Sequence, residues 1–190
     1  MLHACRRNGT RAAAPIWPIA LLIAALAIPS HAQNLNRNLV VNGDAETGAA
    51  AASATDSPVN SIPGWTTTGG FSVGGYDGSN FLSMSDYGPV DRGHKLFYGG
   101  PGNQRSTAVQ AIDLSGAAAE IDGGRAKFYL SGYLGYLSGS SDNIKVINLK
   151  TEFQDAAGTV LLQSVADGPA QEDLSIPEGL LLRTATGWVP

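Results

Sequence analysis

Asn42, Asp44 and Glu46, spaced two apart, are the residues of this 190-residue chain whose types and spacing best suit chemistry. On an extended strand end, alternate residues share one face. There they would present hard oxygen ligands of the kind Ca²⁺ takes. The same three residues also fit an ordinary solvated turn. A second group is aromatic. Tyr76, Tyr87, Tyr133 and Tyr136 each offer a flat apolar ring for a sugar and a hydroxyl for hydrogen bonding. Tyr129 and Tyr133 fall on one face of an expected strand with Ser131 between them, which suits a ligand platform and equally suits cover for an outer sheet face. Asp142 and Asn143 in a turn, with Asn103, Gln104 and Arg105 in a Gly-rich loop, could supply polar ligand contacts. Turn chemistry explains them as well.

Patterns that would carry catalysis are thinner. Residues 70–74 (GFSVG) have the form of a G-x-S-x-G nucleophile elbow. That motif requires a strand-to-helix turn, and residues 75–78 (GYDG) do not begin a helix. His94 is the one histidine outside the N-terminal segment, so a His-based triad would have to use it and a multi-His zinc site is excluded. Asp86, Asp91, Glu120 and Glu152 could hold a glycosidase pair only if two carboxyls stood about 5–9.5 Å apart. Scattered in turns, they read as solvated acids. Trp65, after a Pro-Gly turn, reads as a plug at the core edge ahead of a sugar-stacking residue. The chain is read as non-catalytic.

These residues need elements to position them, and export comes first. Arg6, Arg7 and Arg11 precede a short apolar stretch at 16–28 (IWPIALLIAALAI), and Ser30 and Ala32 are the small residues of a cleavage site after Ala32. A membrane anchor would need about 20 apolar residues, and this stretch is shorter and bounded by prolines. The expectation is a signal peptide over 1–32 and a mature domain over 33–190, secreted, periplasmic or at the cell surface and free of membrane after cleavage. Loss of the three arginines takes the formal charge from −4 to −7. Such a surface lacks the clustered cations that phosphate binding needs, so nucleic acid is not an expected partner. Cys5, the only cysteine, leaves with the signal, so disulfides and thiolate chemistry are not expected of the mature chain.

The remainder is rich in Gly, Ser, Ala, Asp and Asn, and short period-two runs recur where no 3.6-residue apolar period is sustained. Strands are expected at 39–41, 65–68, 71–76, 81–84, 95–98, 106–114, 126–136, 144–153 and 160–165, with another beginning at 180. In 126–136, Phe128, Leu130, Gly132 and Leu134 point one way and Lys127, Tyr129, Ser131 and Tyr133 the other. Ile147, Leu149 and Phe153 are expected inward. Residues 48–63 read as a small-residue loop, 154–158 as a hairpin connection, and 116–121 (GAAAEI) as one helical turn ended by Gly123 and Gly124. The fold class is all-β, a sandwich.

Residues 38–48 (NLVVNGDAETG), followed by 62–65 (IPGW), resemble the "N-(L/V)-x-x-N-x-x-x-E-x-G … P-G-W" opening of galactose-binding-like jelly rolls, many of them secreted carbohydrate-binding modules. Residues 97–100 (FYGG), 108–115 (AVQAIDLS), 130–136 (LSGYLGY) and 141–143 (SDN) continue the likeness to one subgroup of exported bacterial proteins, over about 38–190. The resemblance implies a jelly-roll sandwich that captures a carbohydrate or cell-envelope glycan without chemistry. It also implies a structural calcium at the glutamate matching Glu46, shared with an aspartate of the last strand. In that subgroup two further strands follow an element like residues 187–190 (GWVP), so the expected sandwich is incomplete at the C-terminus. The alternative is a structural or adhesive extracellular module whose partner is protein or matrix.

Overall fold

The computed structural model describes residues 35–59, 61–102, 105–136, 147–169 and 178–190. Nine strands dominate the described residues. They are β1 (Ala51–Ser53), β2 (Thr66–Thr68), β3 (Ser72–Ser79), β4 (Lys95–Tyr98), β5 (Thr107–Val109), β6 (Lys127–Tyr136), β7 (Asn148–Gln154), β8 (Val160–Asp167) and β9 (Gly179–Trp188). The helical turn expected at 116–121 is present as a 3₁₀ turn, Ser115–Ala117, running into α1 (Ala118–Asp122), and Gly124 closes it at φ 64°. The protein is all-β. Among the described residues no helix is long and apolar enough to cross a membrane.

The strands form four small sheets: β1-β3-β4, β2-β5, β6-β9 and β7-β8. Every pairing is antiparallel except β1 with β3, which is parallel. In the first half the core is Ala45, Ile62 and Val73, with Trp65, Phe71 and Phe97 packed on it. Trp65 meets Phe97 edge-on at 5.6 Å between centroids, and its Nε1 donates to the Asn42 carbonyl at 3.1 Å. It is the core-edge plug expected, and the bonded indole N–H removes the cost of covering a polar group.

In the second half the β6-β9 ribbon lies over the β7-β8 hairpin. Phe128 and Phe153 meet at 5.1 Å, and the flat side of Gly132 receives Leu149. The alternation read from the sequence places the faces correctly: Phe128, Leu130, Gly132 and Leu134 are covered, while Lys127, Tyr129, Ser131 and Tyr133 are exposed. The two halves meet where Tyr87 bridges Gly179 in parallel and the Leu180 amide donates to the Tyr87 carbonyl at 2.7 Å.

Five local expectations fail, one of them the strand expected at 106–114, which ends as β5 at Val109. Residues 39–41 form no strand: Asn42 and Ala45 take left-handed φ of 52° and 65°, turning the chain at 41–44. Residues 81–84 form a turn, because the carboxylates of Asp77 and Asp86 accept from the Met84 and Ser83 amides at 3.0 and 2.6 Å and so replace a ladder. The loop expected over 48–63 contains β1, whose parallel partner is distant in sequence. Ile147 is exposed, lying just before β7 rather than within it.

Two predictions follow from the backbone. Gly179 has φ 150°, and a Cβ there would press into the backbone of Tyr87. Gly179→Ala should destabilise the fold by about 1–3 kcal/mol, read as a shift in the urea midpoint. The β7-β8 turn hangs on Asp155, whose Oδ1 accepts from Thr159 N at 2.8 Å and Ala157 N at 2.9 Å. The bond from Thr159 foremost holds its pKa below the ordinary carboxylate range. A lowered folded pKa means that the contribution to stability is present above the unfolded value and is lost as pH falls through the folded one. Acid titration should therefore weaken native Asp155 protein on that limb, and Asp155→Asn should flatten the corresponding part of the melting curve against pH.

Candidate functional site

The three residues expected to share a strand face do not share one, because the left-handed Asn42 and Ala45 break the alternation between them. Asn42 is committed to the loop itself. Its Nδ2 donates to the carbonyls of Thr47 and Pro63, both at 3.1 Å, and its Oδ1 accepts from Thr47 N at 2.9 Å. Asp44 Oδ1 accepts from Glu46 N at 3.2 Å. Glu46 reaches across the molecule: its Oε1 accepts from the amides of His94 at 2.8 Å and Lys95 at 2.7 Å. Gly93 permits this approach, since any Cβ at that position would overlap the Glu46 carboxylate. Lys95 answers in kind, with Nζ donating to the carbonyls of Glu46 at 2.8 Å and Gly48 at 2.7 Å.

Fitting calcium to this loop meets an obstacle in the side chains themselves. Calcium needs about six to eight oxygens at 2.3–2.6 Å. Here one oxygen each of Asn42, Asp44 and Glu46 is held by a backbone amide, and the two carbonyls turned toward one point already hold an ammonium. Among the described residues there is no group of three or more His, Cys, Asp or Glu side chains that could hold a metal. The residues, as arranged, do not fit the ion.

The structure divides the expected ligand tyrosines. Tyr76 is half-buried with the Arg92 guanidinium 5.4 Å above its ring. Burial pushes its phenol pKa up, and Arg92 opposes part of that shift. The Arg92 guanidinium thus covers one face of the Tyr76 ring. Tyr136 is half-buried at the end of β6, opposite Gly179. Tyr133 and Tyr87 are exposed, with Tyr87 near the same end of the ribbon as Tyr133 through its bridge to Gly179. Asp142, Asn143, Asn103 and Gln104 lie outside the described residues.

What the ribbon does bring together is a continuous outer face. Cross-strand pairs on it are Lys127 with Trp188, Tyr129 with Thr186, Ser131 with Thr184, and Tyr133 with Leu182. All eight side chains are exposed by the burial alternation of β6 and β9. Tyr129 is 67 % and Trp188 55 % exposed, high values for large aromatic groups on a strand. Lys127 Nζ sits 4.3 Å from the Trp188 ring centroid, a cation–π contact that holds the indole. At about 3.3 Å per residue, Tyr129 and Tyr133 stand about 13 Å apart along the ribbon, and the row from the Lys127–Trp188 pair to the Tyr133–Leu182 pair runs about 20 Å.

Trp188 is the member that sequence reasoning missed. The signal was available in the alternation of residues 180–188, which puts Leu182, Thr184, Thr186 and Trp188 on one face, but only the pairing register shows that this face adjoins Tyr129 and Tyr133.

The nucleophile-elbow pattern resolves into a strand. Ser72 opens β3, is fully buried, and its Oγ accepts from Val59 N at 2.7 Å. His94 uses its backbone rather than its ring in the contacts above, its carbonyl accepting from Tyr76 N at 3.0 Å. The geometry around Ser72 is that of a structural hydroxyl. No family model, curated protein or solved structure matches this chain.

Proposed function

We propose that this protein is an exported, non-catalytic glycan-binding module, and that it holds its ligand along the outer face of the β6-β9 ribbon. The observation that carries this reading is the row of exposed aromatic rings, Trp188, Tyr129 and Tyr133, interleaved with the hydroxyls of Ser131, Thr184 and Thr186. A sugar ring has an apolar C–H face and a polar rim, and such a row meets both at once. The row is open and about 20 Å long, which suits an extended chain of several sugar units rather than a single enclosed one. The net negative charge argues for a neutral chain over a polyanion.

The resemblance to galactose-binding-like jelly rolls supports the same reading, as does the signal-like segment at 1–32. Within it, the two stacked ribbons would be part of a jelly-roll sandwich. Fold alone does not name a function, so the proposal rests on the aromatic row. A protein-binding, adhesive role would draw on a different surface, the exposed Leu161 and Val165 of β8.

Affinity electrophoresis through gels holding soluble β-glucan, galactan, mannan or xylan tests the proposal. Native protein should be retarded by at least one neutral polysaccharide. Tyr129→Ala, Tyr133→Ala and Trp188→Ala should each weaken association about fivefold, corresponding to about 1 kcal/mol per lost ring contact. Tyr76→Phe, away from the row, should leave it unchanged. Mobility unaltered by every polysaccharide would favour the adhesive reading.

A further inference from the structure

We propose that Lys95 is the resident cation of the 42–48 loop, and that its ammonium closes this loop in place of a divalent metal ion. The resemblance stated above expects calcium here, and the geometry disagrees with it. Two backbone carbonyls, those of Glu46 and Gly48, converge on one point, as they do around a bound cation. The group at that point is Lys95 Nζ, at 2.8 and 2.7 Å. These are the short distances of charge-assisted hydrogen bonds.

The arrangement is reciprocal. The Glu46 side chain takes the amides of His94 and Lys95, while the Lys95 side chain takes the carbonyls of Glu46 and Gly48. Four hydrogen bonds therefore join a loop near the start of the described chain to the beginning of β4, three through Lys95 and one through the amide of His94, about 50 positions away in sequence. A metal bridge would do the same mechanical work, tying a loop to a strand through shared oxygens. An ammonium supplies three donors and one positive charge, enough for two carbonyls and one further contact. A divalent ion entering the same point would meet that charge and would have to expel it.

The lysine also has little freedom to leave. Lys95 is half-buried, its backbone is paired with Gly75 in the β3-β4 ladder, and its amide is held by Glu46. Its four-carbon stem thus starts from a fixed point, so the ammonium is presented to the carbonyls at little entropic cost. The remaining possible ligands are turned to other tasks: the Asn42 amide links Thr47 and Pro63, and the Asp44 carboxylate caps Glu46 N. The inference is independent of the glycan-binding reading, since this loop and the β6-β9 face are made by different elements.

Melting of the full chain, followed by circular dichroism in 2 mM CaCl₂ and in EDTA, tests the proposal on the native protein. The two melting temperatures should agree. A rise of about 5 °C or more in calcium would overturn it. Lys95→Met keeps the stem and removes the donors, and should lower the melting temperature by about 5 °C or more in EDTA. A variant that melts with the native protein would also overturn the proposal. Should Lys95→Met fail to fold, brief acetylation of native protein with acetic anhydride, read by mass spectrometry, decides the matter. Lys95 should be modified at least about tenfold more slowly than the exposed Lys150, and equal rates would show that the ammonium is not held.

Discussion

The exchange of hydrogen bonds between Glu46 and Lys95 is the constraint on which the first half of the molecule depends. Residues 42–48 make no strand and could not hold their place by backbone pairing alone. Fixing Glu46 to the start of β4 places Ala45 in the core beside Ile62 and Val73, and places the Asn42 carbonyl where the Trp65 indole can reach it. The Trp65 ring then packs on Phe97 of β4, the strand that Lys95 begins. A polar tie and an apolar cluster thus support one another: the tie sets the position, and burial of the rings rewards it.

A second side chain does the work of a missing strand. The Gln110 amide accepts from Val41 N at 2.8 Å and donates to Val41 O at 3.1 Å, the pair of bonds a neighbouring strand would make. It also donates to the Gly64 carbonyl at 2.7 Å. This explains why β5 stops at Val109 although the alternating sequence continues. The residue after it turns its side chain, rather than its backbone, toward the chain it must hold.

The second half rests on a different principle. The β6-β9 ribbon pairs ten residues with ten in unbroken register, so one face is covered by the β7-β8 hairpin and the other remains outside. Strand alternation makes the separation clear from Lys127 to Leu134, where covered and exposed residues follow one another in turn. The aromatic rings on the outer face contribute little to the packing beneath them. Their exposure is unusual for groups of such apolar area, and the proposed binding role is drawn from it.

The all-β class, the helical turn, the hairpin at Asp155 and the two faces of β6 were legible in residue order, because each depends on periods of two or on turn residues within a few positions. Trp65 as a core plug was legible for the same local reason. The shared strand face read for Asn42, Asp44 and Glu46 does not form, because alternation implies one only where the backbone is extended, and two left-handed residues bend it here. Lys95 gave no local sign of its partner, since a side chain about 50 positions away meets its carbonyls only after the sheet has formed. Likewise, the union of Trp188 with Tyr129 and Tyr133 depends on which strand lies beside β6 and in what register. Local sequence governs the conformation of short segments through sterics and nearby hydrogen bonds, whereas the neighbours of a segment are chosen by long-range burial and pairing, and so they emerge only in the folded chain.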